Sequence, residues 1–166
     1  MAIKATIEEI ESVMHFVLNK SNKKEGACLY MGAMLYSLIH ENLHLTPKFV
    51  AGSLRLNKDL IFSHEPILPV MTAGQDFSGY WGGHAWVEIE NYILDPSFFC
   101  TIYSDATPSK LQEKVKKTFN GRFDFLIGSR TRLEEGGLFY KPYEELSDYD
   151  ATTLIKSGYS AGFLND

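Results

Sequence analysis

At 166 residues with 45% hydrophobic content, the chain can bury one ordinary core and is short for several domains. A net charge of -5 argues against a surface built for nucleic acid or anionic lipid, and the one dense basic run, Lys110 to Lys117, contains Glu113 and reads as a solvated helix face. The first residues carry no signal-peptide core, no apolar run approaches the roughly 20 residues of a membrane span, and two cysteines are too few for a disulfide framework. The expectation is a single domain over 1–166, cytoplasmic and reduced, with no nucleic-acid or membrane partner and an oligomeric state left open.

In chain order, Thr6-Ile7-Glu8-Glu9 matches a capping box, and Ile7, Ile10, Val13, Met14, Val17 and Leu18 then recur at helical spacing. His15 lies near that apolar edge and reads as structural. Residues 19–24 are a polar loop. The stretch from Gly26 to Ile39 is apolar on every side, the mark of a central helix, and it runs to about Asn42 before Pro47 stops it. Lys48 to Leu56 reads as a strand, Asn57-Lys58-Asp59 as a turn, and Leu60 to Phe62 as a short second strand. Residues 64–83 are irregular, and loops of that length are often functional.

His84 to Glu90 alternates strictly, and with Tyr92 to Asp95 it predicts a hairpin ended by Pro96. Ser97 to Tyr103 is apolar and reads as a further strand. Pro108 opens a helix over about Ser109 to Phe119. Phe123 to Ile127 and Leu138 to Tyr140 read as strands. Ser147 caps a last helix through about Lys156, followed by a loose tail.

Cys28, His84 and Asp95 stand out together. A helix N-terminus carries partial positive charge, which favours a thiolate in its first turn. A nucleophilic thiol needs a base, and the base needs an acceptor to orient it. If Glu90 and Asn91 form a two-residue turn, Ile89 faces Tyr92 and Trp86 faces Asp95. His84 then lies diagonal to Asp95 on one face, within side-chain reach. A turn one residue different moves Asp95 to the other face.

These residues resemble the transglutaminase-like group of the papain-like cysteine protease superfamily. The likeness rests on Gly26-Ala27-Cys28 opening a buried helix, on Leu45-Thr46-Pro47-Lys48-Phe49-Val50-Ala51-Gly52 after it, on His84-Ala85-Trp86-Val87-Glu88-Ile89, and on Leu94-Asp95-Pro96-Ser97, in that order from Gly26 to Phe98. The resemblance implies an α+β fold with N-terminal helices packed on an antiparallel sheet. It also implies a cofactor-free enzyme that transfers acyl groups through a thioester. Cys28 is then nucleophile, His84 base and acid, and Asp95 orienter; the acyl substrate is a small molecule, a peptide or a protein. Such chemistry needs an oxyanion hole. The Cys28 amide is one donor; Asn22, Gln75, Tyr80 and Trp81 are candidates for the second, with Tyr80 and Trp81 also able to line a pocket.

Two other readings compete. His40-Glu41-Asn42-Leu43-His44 spells H-E-x-x-H, the signature of a zinc hydrolase with Glu41 as base, His40 and His44 as ligands and His64 or Glu65 as a third. The nearness of Pro47 weighs against it. The same fold can also serve as a binding module without catalysis. Cys100 reads as buried, and a disulfide with Cys28 requires the two to lie close.

Overall fold

A computed structural model describes residues 3–23, 26–68, 81–104, 107–121 and 123–165. In chain order the elements are α1 (Ile3–Lys20), α2 (Cys28–Asn42), β1 (Lys48–Leu56), β2 (Asp59–Phe62), β3 (His84–Ile89), β4 (Tyr92–Asp95), α3 (Phe98–Ile102), α4 (Ser109–Phe119), β5 (Leu126–Ser129), α5 (Arg130–Glu135), β6 (Leu138–Leu146) and α6 (Asp148–Ala161). The class is α+β, with a curled antiparallel sheet. No helix among the described residues is long and apolar enough to cross a membrane.

The all-apolar sequence of α2 has the consequence expected of it. It packs against α1, α6 and β3, and eleven of its residues are buried. Its neighbour Phe49 lies so close to Gly32 that a Cβ there would stand 2.9 Å from the ring.

Strand β1 is the centre of the sheet. One edge pairs along its length with β6; the other pairs with β3 over residues 48–52 and then with β2 over 54–56. The sheet continues through β4 to β5. Alternation along β1 and β3 serves two apolar layers. Phe49, Ala51, Ala85, Val87 and Ile89 join the layer of α1, α2 and α6. Val50, Leu54, Leu56 and Trp86 join a second layer with Phe98, Phe99 and Ile102 of α3 and Val115 of α4.

Several sequence readings need correction. Helix α1 begins at Ile3, so Thr6 lies inside it and the capping-box letters are not at its start; nothing in the preceding residues opposes helix. Residues 98–102 are helix, not strand. The Asp95 side chain draws in the Ser97 amide, the chain turns at once, and a short apolar run suits either element. Pro108 sits at the N-cap of α4, one place before the first helical residue. Strand β5 starts at Leu126, three residues later than read. Helix α5 was not anticipated. Strand β6 continues through Pro142 to Leu146, because the register slips there: Glu144 faces Ala51 and Pro142 faces Gly52, leaving Tyr143 as the extra residue of a bulge.

The C-terminal tail is packed rather than loose. Gly162 caps α6 in the left-handed region, Leu164 is buried and bridges Ser21, and the Asn165 amide donates to the Lys20 carbonyl.

Candidate active site

The chain turns into α2 through Gly26, whose φ of 86° needs a residue without a Cβ penalty. Cys28 is then the first helical residue, and its own N–H is one of the first-turn donors with no partner inside the helix. The thiol is buried, 3.9 Å from the Gly83 carbonyl oxygen. Gly83 must be glycine, since a Cβ would lie 2.3 Å from the Trp81 ring. The chain enters β3 immediately afterwards, and this brings His84 to the thiol.

The hairpin register is Val87 to Leu94, Glu88 to Ile93 and Ile89 to Tyr92, as a two-residue turn at Glu90 and Asn91 requires. Glu90 holds φ 53° to make that turn. His84 and Asp95, both fully buried, therefore meet: the distance from His84 Nε2 to Asp95 Oδ2 is 2.6 Å. With Nε2 committed to the carboxylate, Nδ1 is the nitrogen left for chemistry. It has no hydrogen-bond partner among the described residues, and the Cys28 thiol stands beside the ring.

Burial alone would push the imidazole toward its neutral form. The adjacent Asp95 charge and hydrogen bond, with a smaller part from Cys28, outweigh it and lift the His84 pKa from 6.5 to about 10. Phe62 stacks on the ring at 4.6 Å and 8°, fixing its plane.

Asp95 is itself held on every side. Its Oδ2 also accepts from the Tyr140 hydroxyl at 2.7 Å, and its Oδ1 accepts from the Ser97 amide and hydroxyl, each at 3.2 Å. Neither Tyr140 nor Phe62 was singled out from sequence. Both arrive on strands distant from the hairpin, and alternation within β6 marks Tyr140 only as a buried position.

The thiol opens onto a cleft of about 220 Å³. Ile61, Phe62, Trp81 and Leu111 give it apolar walls, and Thr101 and Ser104 line another side. Trp81 belongs to the wall and is not a free oxyanion donor, because its indole N–H is taken by the Glu65 carbonyl at 2.8 Å. Asn22 does not line the cleft, and its backbone N–H donates to the Phe163 carbonyl. Gln75 and Tyr80 lie outside the described residues.

No family model, curated protein or solved structure matches this chain significantly.

The H-E-x-x-H letters do not make the expected ligand pair. Helix α2 ends at Asn42, and His44 lies beyond it with φ 52°, so the two imidazoles do not share a helical face. His40 stacks on Tyr36, His64 binds Glu144 at 2.8 Å, and the Glu65 carboxylate accepts the Gly82 amide. Among the described residues no group of three potential ligands is placed to hold a metal ion. Cys28 and Cys100 are both free thiols.

Proposed function

We propose that this protein is a cysteine-dependent acyl-transfer enzyme, an amide or peptide hydrolase or an acyltransferase, built on a papain-like, transglutaminase-like core. The observation that carries this reading is the buried His84 ring, tied through Nε2 to Asp95 and flanked by the thiol at the start of α2. An imidazole kept protonated by Asp95 can stabilise a thiolate beside it, and the helix N-terminus adds to that.

The chemistry follows from these positions. The Cys28 sulfur attacks an amide or ester carbonyl carbon in the cleft, and the carbonyl electron pair moves onto oxygen. The Cys28 N–H is aimed by the helix to receive that charge. Collapse breaks the acyl bond to the leaving group, which departs with the His84 proton, leaving a thioester. Water or an amine then gives its proton to His84 and attacks the thioester, and the sulfur leaves as thiolate. Asp95 holds the ring so that Nδ1 serves both transfers.

Iodoacetamide labelling of Cys28 as a function of pH is the test, in a Cys100→Ala background. Labelling is expected well below the free-thiol pKa of about 8.5, and to fall to ordinary thiol behaviour in His84→Ala. A wild-type profile already following an ordinary thiol, unchanged by His84→Ala, would refute the proposal.

A further inference from the structure

We propose that Tyr140 is a positioning residue that sets the charge Asp95 presents to His84, and so the pH range over which Cys28 is reactive. This rests on the reading just given. Two donors share one carboxylate oxygen: His84 Nε2 at 2.6 Å and the Tyr140 hydroxyl at 2.7 Å, both on Oδ2. The other oxygen is saturated by Ser97. Negative charge drawn toward the phenol is not available to the imidazolium, so the tyrosine moderates the pull that keeps His84 protonated.

Tyr140 is built into place. It is 3% exposed, and its ring packs edge-on against Trp86 at 4.9 Å. Its carbonyl accepts from the Arg130 guanidinium, which also pairs with Glu88 of β3. The tyrosine is thus fixed from both ends, and burial beside Asp95 drives its own pKa well above 10, so it remains a donor. The titratable groups around His84 are Cys28 from α2, Asp95 from β4 and Tyr140 from β6, with Cys100 of α3 acting on Asp95. Phe62 and Trp86, from β2 and β3, cover the ring without charge.

The labelling profile of a thiolate–imidazolium pair has an upper inflection where the imidazolium loses its proton. Tyr140→Phe removes only the hydroxyl and is expected to move that inflection up by about one pH unit. Site-specific 3-fluorotyrosine at position 140, a stronger donor of nearly the same shape, is expected to move it down. An inflection unchanged in both variants, or moving the same way in both, overturns the proposal, as does a Tyr140→Phe protein whose only change is lower stability. Should Tyr140→Phe not fold, the fluorotyrosine protein decides by itself. An ordinary thiol profile in the wild type signals instead that the catalytic reading has failed.

Discussion

Asp95 accepts hydrogen bonds from His84, Tyr140 and Ser97, two on each oxygen, while fully buried. A carboxylate so surrounded has no room to rotate, and that rigidity is what an orienting group requires. Asp95→Asn puts an amide N–H against one of these donors; a stability loss of about 2–4 kcal/mol by denaturant unfolding is expected, together with loss of rapid Cys28 labelling. The raised His84 pKa predicts a pH dependence, read most simply in Cys28→Ala, where the thiol's own titration is gone. A pKa raised by folding stabilises the native state fully below the unfolded value near 6.5, and the gain is lost as pH rises toward about 10. Cys28→Ala should therefore lose up to about 1.4 kcal/mol per pH unit within that window, ending somewhat lower without the thiol, whereas Cys28→Ala with His84→Gln should be nearly flat. His84 and Asp95 were legible from sequence because one hairpin carries both, and a two-residue turn fixes their register. Tyr140 was not, because its approach depends on a pairing between distant strands.

The elements differ in how openly their residues declare them. The all-apolar α2 and the alternating β3 follow directly from side-chain period. The two capping-box patterns, Thr6 to Glu9 and Ser147 to Asp150, look alike, yet only Ser147 works as a cap: its hydroxyl accepts the Asp150 amide, and Asp150 accepts the Ser147 amide. Ser147→Ala is expected to cost about 1 kcal/mol by thermal or chemical unfolding, whereas Thr6→Ala removes no cap. The bulge that lets β6 pass Pro142 has no such local signature. It depends on Gly52, where a Cβ would lie 2.0 Å from the Lys141 carbonyl oxygen and 2.8 Å from the Trp86 ring. Gly52→Ala should destabilise by about 1–3 kcal/mol or more and disturb the strand that delivers Tyr140, visible as a lower melting temperature and an altered labelling profile.

At the level of the whole molecule, the sheet is covered on both faces, whereas the resemblance implied N-terminal helices packed on it and Ser97 to Tyr103 read as a strand. The second layer arises because α3 and α4 fold back as helices over Val50, Leu54 and Trp86. The tail closes the other layer, with Phe163 stacked on Tyr30 at 4.4 Å and Leu164 buried against Gly158. Ending the chain after Gly162 should cost about 2–4 kcal/mol. The pairing of Leu54 with Tyr140 has a temporal consequence. During synthesis the nucleophile, its base and Asp95 all leave the ribosome well before the strand that steadies the carboxylate. Contacts so far apart in sequence close late and slowly. On the proposed reading, the hydroxyl that moderates the pull of Asp95 on His84 is therefore the last part of the site to arrive, and the pH range of the thiol is set only once β6 has docked on β1.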